Sequence, residues 1–154
     1  MPGRWFAGIV IGRENADRVL ELLVMDCSST DFKFRNRGVK VKFPGGTEDG
    51  HPEDGSILGT RNRELTEETG LRIKVGVEPL MVHSETPNSK HFKNFYFVRF
   101  EDCEGELRTV EKTDNGDRMS APYWVEAQTL SRIPYFTHHG ALMRVLNITS
   151  TPSR

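Results

Sequence analysis

A short acidic segment in the first half of the chain constrains the fold more than any other feature. Glu64, Glu67 and Glu68 lie at relative positions i, i+3 and i+4, which share one face of an α-helix. Like charges on one face repel each other, so an isolated helix gains no stability from them. A divalent cation would convert this repulsion into ligation, because Mg²⁺ and Mn²⁺ prefer carboxylate, water and phosphate oxygens. The segment therefore predicts a helix with a metal-binding face.

The residues around the glutamates predict where this helix begins and ends. Ser56 is the expected N-cap, and Asp54 competes with it for that role. Gly70 follows the last turn and suits the left-handed conformation that ends many helices. The predicted helix therefore runs from Ile57 to Thr69.

One face of the predicted helix is expected to pack on a sheet. Leu58, Leu65 and Thr69 align along it at about 100° per residue. The preceding strand is expected to end at Pro44-Gly45-Gly46, where two glycines allow a tight turn. Thr47 to Gly55 follows, and its further Gly and Pro residues predict an irregular loop.

Runs of β-branched and aromatic residues predict strands on both sides of this helix. The predicted strands are Trp5–Ile11, Val19–Met25, Val39–Phe43, Leu71–Val77, Phe95–Phe100 and Tyr123–Val125. A helical turn is expected from Glu126 and a second long helix over His138–Ile148, whereas Cys27–Arg37, Glu78–Asn94 and Glu101–Asp117 are mixed or turn-rich. This order predicts an α/β protein, an α/β/α sandwich with a mixed β-sheet, and its 154 residues fit a single domain.

Composition narrows the class of protein. The formal net charge of −1 argues against a broad nucleic-acid-binding surface. Cys27 and Cys103 are too few for a disulfide framework and are expected to be free thiols. No stretch approaches the roughly 20 apolar residues of a membrane span, and the first residues do not resemble a signal peptide. We therefore expect a cytoplasmic protein without a membrane partner.

The segment Arg63–Leu71, R-E-L-T-E-E-T-G-L, resembles the second half of the Nudix box, G-x5-E-x7-R-E-U-x-E-E-x-G-U, in which U is a bulky aliphatic residue. Every specified position of that half matches, and the F-P-G-G of Phe43–Gly46 resembles the usual entry to the box. The first half departs from the pattern, because the loop between Gly46 and Arg63 is three residues longer. The family's first Glu falls on Gly55, and Glu53 or Asp54 is the candidate replacement.

The resemblance to the Nudix hydrolase family implies a fold, a cofactor and a reaction. The fold is the Nudix α/β/α sandwich, the cofactor is Mg²⁺ or Mn²⁺, and the reaction cleaves a pyrophosphate in a nucleoside diphosphate linked to another moiety. The implied metal ligands are Glu64, Glu67, Glu68, Glu111 and the Gly46 carbonyl. The implied catalytic residues are Glu67, Glu64, Arg63 and Glu111, with Arg63 positioning the acidic group.

Glu111 enters this set through a second, shorter match. Glu104-Gly105-Glu106, followed five positions later by Glu111, resembles a loop of the MutT-type branch, in which a Glu completes the metal site or acts as base. A solvated acidic loop explains the same residues equally well, and Glu101 and Asp102 are weaker alternatives.

The substrate stays open among related choices. The compact length favours a MutT-like nucleoside triphosphate pyrophosphatase. Pro87, 16 residues after Leu71, favours an ADP-ribose or nucleotide-sugar substrate instead. A Nudix domain that binds nucleotides or RNA without hydrolysis is a third reading, supported by the altered first half of the box. We expect a small-molecule nucleotide as the ligand and a nucleic-acid partner only under the third reading, and the resemblance allows a homodimer, which is common in the family.

Other polar and aromatic residues carry weaker expectations. His138 and His139 are adjacent, so a helix points them about 100° apart, and we interpret them as packing or surface residues. Trp124 is interpreted as a core aromatic rather than a platform for a base. A cationic patch for phosphates is conceivable from His83, Lys90, His91, Lys93 and Arg99, although ordinary surface charge explains each of them as well.

Overall fold

The computed structural model describes residues 4–29, 38–88, 91–114 and 116–149. The helices in these ranges are α1 (Ile57–Thr69), α2 (Ala127–Leu130) and α3 (His139–Thr149), and 3₁₀ turns are formed by Pro52–Gly55 and Phe100–Asp102. The strands are β1 (Trp5–Glu14), β2 (Leu20–Ser29), β3 (Lys40–Lys42), β4 (Gly45–Thr47), β5 (Leu71–Ile73), β6 (Leu80–Asn88), β7 (His91–Arg99), β8 (Cys103–Gly105), β9 (Lys112–Asp114), β10 (Asp117–Met119) and β11 (Tyr123–Glu126).

Nine of these strands form one mixed sheet. Its main order is β6-β7-β1-β2-β10-β9, while β3 and β11 also pair with β2, and β4 pairs with β1. Strand β1 runs parallel to β7, from Trp5 opposite Phe92 to Gly12 opposite Arg99, and the other strand pairs of this sheet are antiparallel. Strands β5 and β8 form a separate antiparallel pair. The predicted mixed sheet is confirmed.

Two apolar clusters lie on opposite faces of the large sheet. Successive side chains of a strand point to opposite faces, so Val10 joins one cluster while Ile9 and Ile11 join the other. The first cluster includes Leu142 of α3, and the second includes Leu65 of α1. The sheet therefore lies between α1 and α3, which confirms the predicted α/β/α sandwich.

Helix α1 has the bounds and the caps that the sequence predicts. The Ser56 hydroxyl accepts a hydrogen bond from the backbone N–H of Gly59 at 3.0 Å. Gly70 has φ of +84° and donates its N–H to the Thr66 carbonyl at 2.9 Å. A side chain at Gly70 would be strained by this φ and would bring its Cβ within 2.3 Å of the Glu106 carbonyl oxygen.

Strand β6 corrects the prediction of a mixed segment over Glu78–Asn94. The register of β6 with β7 shifts between Met81 and His83 and again between Glu85 and Asn88. Such bulges interrupt the period-two alternation by which a strand is recognised in a sequence. Pairing with β7 therefore defines this strand more than its own side-chain pattern does.

Several shorter strands also lie where loops were expected. Residues 27–29 continue β2 and pair with β10, and β8 and β9 lie inside the segment predicted to be turn-rich. Residues 30–37 of the predicted loop lie outside the described residues, as do residues 150–154 at the end of the sequence. These strands have only three residues each or extend a longer one, so main-chain pairing rather than a hydrophobic run defines them.

The packing of α1 also differs from the predicted leucine stripe. Leu65 and Thr69 are fully buried, but Leu58 is 47% exposed. The buried face at the start of the helix instead carries Thr60, whose hydroxyl oxygen accepts the indole N–H of Trp5 at 2.9 Å. The loop before the helix is also more regular than expected, because it contains the end of β4 and the 3₁₀ turn at Pro52–Gly55.

Both cysteines are free thiols, as predicted. Burial, followed by the negative charge of Asp102, raises the pKa of the Cys103 thiol to about 11. Cys103 therefore stays protonated at neutral pH and serves as a packing residue. None of the described helices is long and apolar enough to cross a membrane.

His138 is a packing residue, as expected, and lies among aromatic rings at the start of α3. Its ring centroid is 4.9 Å from that of Phe95 and 5.6 Å from that of Phe6. Its Nδ1 lies 3.2 Å from the backbone nitrogen of Phe43 and accepts that N–H. Burial, together with the charges of Lys42 and Lys93, lowers the pKa of His138 to about 3, so the ring is neutral in the folded protein.

We predict that His138 makes the protein less stable in mild acid. In the unfolded chain the imidazole takes up a proton near its usual pKa of 6.5, whereas the folded chain resists protonation. The wild-type protein should therefore lose about 2 kcal/mol of unfolding free energy between pH 7 and pH 5 through this residue. His138→Asn keeps an acceptor near the Nδ1 position and should remove that part of the pH dependence. Urea unfolding of both proteins at the two pH values measures it, and equal losses would contradict the prediction.

Candidate functional site

Arg63 is the centre of the acidic segment of α1. Its buried guanidinium forms ion pairs with Glu67 at 3.0 Å, Glu64 at 3.1 Å and Asp54 at 3.2 Å. Asp49 lies slightly farther away, at 3.6 Å. Helical spacing brings the two glutamates to Arg63, while the loop before the helix supplies the two aspartates. One cation therefore faces four carboxylates.

Asp54 is the carboxylate most completely enclosed by this arrangement. It accepts the hydroxyl hydrogen of Thr60 at 2.6 Å, the backbone N–H groups of Asp49 at 2.9 Å and His51 at 3.3 Å, and hydrogen bonds from Arg63. Burial alone would raise its pKa, but these hydrogen bonds and the charge of Arg63 outweigh it and lower the pKa to about 2. Asp54 is therefore ionised at neutral pH, and its hydrogen bonds hold it in one orientation.

The two candidates for the displaced first Glu of the box lie in different environments. Asp54 is 3% exposed and holds Arg63, whereas Glu53 is exposed to solvent. The 3₁₀ turn at Pro52–Gly55 turns Asp54 inward toward the helix. Position 55, where the family pattern places its Glu, is an exposed glycine.

Glu68 is held from the sheet side. Its Oε1 accepts the backbone N–H of Gly45 at 2.7 Å, and its Oε2 lies 3.3 Å from the Lys42 ammonium. The same ammonium donates to the Gly45 carbonyl at 2.9 Å. Burial raises the pKa of Glu68, against the opposing charge of Lys42. Glu68 is thus oriented by one lysine and one backbone amide.

Lys42 is a site residue that the sequence motifs did not indicate. Val41 and Phe43 belong to the core on the α3 side. Alternation along the strand therefore points Lys42 to the opposite face, which α1 covers. That face had been predicted to carry glutamates, so the alternation was the signal that could have identified Lys42.

Glu64 lies against the glycine that enters the loop. A Cβ added at Gly46 would be 2.3 Å from both Cδ and Oε1 of Glu64, so a side chain at position 46 would displace the carboxylate. Burial, followed by the charge of Glu68, raises the pKa of Glu64 to about 7, although Arg63 opposes this. Ionisation of both Glu64 and Glu68 therefore costs free energy, because the nearby positive charge does not fully offset burial and their mutual repulsion.

The donor set fits a hard divalent cation in its chemistry. Glu64, Glu67 and Glu68 offer carboxylate oxygens on one helix, and Glu64 and Glu68 are crowded, as expected for groups that a cation would stabilise. Among the described residues, however, no three His, Cys, Asp or Glu side chains are grouped closely enough to hold a metal ion. The residues therefore suit Mg²⁺ or Mn²⁺ by their chemical type, although the described side chains do not already stand in a ligand geometry.

Glu111 lies outside this group. Its side chain is 64% exposed and forms an ion pair with Arg118 at 3.8 Å. The backbone that carries it is nevertheless close to the helix, because the neighbouring Lys112 donates from Nζ to the Glu67 carbonyl at 2.9 Å. The role expected for Glu111 stays a prediction.

The residues considered for a cationic patch engage separate partners. His83 lies 2.9 Å from Glu85, and Arg99 lies 3.3 Å from Glu101. The ammonium of Lys93 lies 5.9 Å from the ring centroid of Phe6. Lys90 is outside the described residues, and His91 is partly buried. These contacts favour ordinary surface and packing roles for His83, Lys93 and Arg99.

The three-dimensional structure of the chain is similar to those of known proteins. No family model matches the chain, and neither does any curated protein. A mutT/nudix family protein from Listeria innocua matches with a TM-score of 0.64 and 15% identity over 97% of this chain and 96% of that one. The MutT protein of Methanosarcina mazei Go1 matches with a TM-score of 0.62 and 16% identity over 96% and 95% of the two chains.

A third similar protein has been solved with bound ligands. The NUDIX domain of Shewanella oneidensis NrtR, complexed with ADP ribose, matches with a TM-score of 0.61 and 16% identity over 95% of this chain and 88% of that one. NrtR complexed with a 27mer DNA matches with a TM-score of 0.58 and 16% identity over 94% and 61% of the chains. The chain therefore has the Nudix fold, and its resemblance to the Nudix hydrolase family is confirmed at the level of three-dimensional structure.

Proposed function

We propose that the chain is a metal-dependent Nudix pyrophosphohydrolase that cleaves a nucleoside diphosphate linked to another moiety, with a nucleoside triphosphate as the preferred substrate. The observation that carries this proposal is the set of α1 carboxylates, which Arg63, Lys42 and the Gly45 amide hold on a Nudix fold. A solvated helix face would need none of these buried partners.

The cation would be held by Glu64, Glu67 and Glu68, together with the Gly46 carbonyl and Glu111. When bound, Mg²⁺ or Mn²⁺ supplies charge neutralisation at the phosphate oxygens and lowers the pKa of a coordinated water. Burial raises the pKa of Glu64 and of Glu68, and this supports the assignment, because a bound cation would stabilise both carboxylates in their charged form.

Residues of the chain would orient the carboxylates and accept a proton from the attacking water. Arg63 holds Glu64 and Glu67 in fixed orientations, and Asp54 holds Arg63. Glu67 has 34% of its side chain exposed, more than Glu64 at 12%. It is therefore the better placed of the two to accept a proton from an attacking water.

ADP-ribose or a nucleotide sugar is the second candidate substrate. The NrtR domain of similar fold was solved with ADP ribose, and the spacing of Pro87 favoured the same class. A domain that binds nucleotide or RNA without hydrolysis is the remaining alternative. The homodimer and the absence of a nucleic-acid partner stay predictions.

The first test replaces the proposed base. Glu67→Gln removes the proton acceptor but keeps the size of the side chain, so kcat should fall by about 100-fold or more. Glu53→Gln is the matched control, because Glu53 is an exposed glutamate of the preceding turn, and its kcat should not change. Hydrolysis of a panel of nucleoside triphosphates, ADP-ribose and nucleotide sugars, with Mg²⁺ or Mn²⁺, measures both variants and ranks the substrates.

The same panel can reject the proposal. If the wild-type protein releases neither pyrophosphate nor a nucleoside monophosphate from any compound, the enzyme assignment is wrong. Nucleotide binding that persists in that case would favour the non-hydrolytic alternative. Equal turnover of wild type and Glu67→Gln would instead remove Glu67 from the catalytic set.

A second test addresses the carboxylate that replaces the first Glu of the box. Asp54→Asn leaves the buried Arg63 with less compensating charge, which should cost about 3 kcal/mol of unfolding free energy and lower kcat. Asp49→Asn is the matched control, because Asp49 is 37% exposed and lies farther from Arg63, so it should cost less than about 1 kcal/mol. Urea unfolding and turnover measure both.

The pH dependence of stability in the wild type and in Asp54→Asn gives an independent check of the Asp54–Arg63 ion pair. The folded pKa of Asp54, about 2, lies below its usual value of 3.8. Its stabilising contribution is therefore complete above pH 4 and is lost as the pH falls toward 2. The stability difference between wild type and Asp54→Asn should shrink over that interval, and a constant difference would show that the charge of Asp54 is not what holds Arg63.

A further inference from the structure

The last turn of α1, which carries Glu67 and Glu68, is covered by the segment that follows β8. Helices leave their last carbonyls without partners inside the helix, and here that segment supplies the partners. Lys112 Nζ donates to the Glu67 carbonyl and Arg108 Nε to the Glu68 carbonyl, both at 2.9 Å, and the backbone N–H of Arg108 donates to the Thr69 carbonyl at 2.8 Å. Two cations thus lie at the negative end of the helix dipole.

Arg108 binds two further carbonyls with the same guanidinium. One Nη donates to the Ser120 carbonyl, just after β10, at 3.0 Å, and the other donates to the Val110 carbonyl. The guanidinium presents its N–H donors in a rigid planar fork, so it can bind acceptors that lie farther apart than those within reach of a single ammonium group. Arg108 therefore joins the end of α1, the loop 106–111 and the start of the β10–β11 connection.

Two glycines allow the loop after β8 to approach the end of α1 closely. A Cβ at Gly70 would lie 2.3 Å from the Glu106 carbonyl oxygen, and a Cβ at Gly105 would lie 2.6 Å from the Gly70 carbonyl oxygen. Both residues have positive φ, at +84° and +103°. The loop backbone therefore contacts the helix end directly.

We propose that Arg108 is a positioning residue, which fixes the loop 106–111 to the end of α1 and thereby sets where Glu111 stands relative to Glu67 and Glu68. The inference rests on the proposed function, since Glu111 matters only if these glutamates bind a cation. It goes beyond that function, because the hydrogen bonds that the Arg108 side chain donates within the described residues go to backbone carbonyls and not to a carboxylate, although its charge also acts on Glu68. Its effect on the site would be exerted through the position of the loop.

The test compares Mn²⁺ affinity in Arg108→Ala and Arg108→Lys with that in Arg72→Ala. Arg72 is the matched control, because it is an arginine of the neighbouring β5 whose side chain lies at the surface, in an ion pair of 3.0 Å with Glu104 of β8. Removal of a residue that orients metal ligands should weaken Mn²⁺ binding by about 10-fold or more, and the exposed control should change it by less than about twofold. Arg108→Lys keeps the charge and should restore part of the affinity.

A double-mutant cycle separates positioning from simple stabilisation. Glu111→Gln should weaken Mn²⁺ binding in the wild-type background but have little further effect in Arg108→Ala, because the loop is then already displaced. Hydrogen exchange of the backbone amides of residues 106–112 should be faster in Arg108→Ala than in Arg72→Ala. Urea unfolding identifies any variant that fails to fold, in which case Arg108→Lys carries the comparison.

The outcomes separate failure of the inference from failure of the proposed function. Faster exchange in Arg108→Ala with unchanged Mn²⁺ affinity, or additive effects of the Arg108 and Glu111 substitutions, would overturn the positioning role. A wild-type protein that binds no Mn²⁺ would overturn the proposed function, and the inference with it. Binding that follows the expected pattern would support the inference even where the correct substrate has not been found.

Discussion

The site depends on the charge of one buried arginine. The guanidinium of Arg63 is within 3.6 Å of four carboxylates, two from its own helix and two from the loop that precedes it. A buried cation without a partner would be costly, and so would buried carboxylates without a cation. Arg63 therefore determines both where α1 can lie and where the loop must return to meet it. The glutamates gain fixed positions from the same interaction.

Polar contacts also orient the rest of α1. Leu65 is the only large apolar side chain of the helix that is fully buried, and it anchors the helix on the sheet. At one end Thr60 accepts from Trp5 and donates to Asp54. At the other end, side-chain and backbone donors of the segment after β8 bind the last carbonyls. Hydrogen bonds are more directional than apolar packing, so this arrangement suits a helix whose carboxylates need defined positions.

The sequence predicted correctly those elements that are determined by their own residues, and it failed for those that depend on partners elsewhere in the chain. The bounds of α1 follow from its own residues, since Ser56 and Gly70 cap it and the acidic spacing marks its face. The buried face of α1 depends instead on tertiary partners, so Leu58 was wrongly assigned to it. Strand β6 was missed because it depends on pairing with β7 across bulges. Lys42 was missed because its role appears only when the strand and the helix are placed together.

The loop between Gly46 and Arg63 departs from the family pattern in length, and Asp54 within it binds Arg63. Counting from Arg63 places the family's Glu on Gly55, and spacing alone could not choose between Glu53 and Asp54. The 3₁₀ turn buries Asp54 and leaves Glu53 in solvent, which favours Asp54 as the candidate. The enclosed carboxylate is one methylene shorter than a glutamate, and it is bound by the backbone amides of Asp49 and His51 as well as by Arg63. The loop before α1 therefore supplies part of the support for this carboxylate.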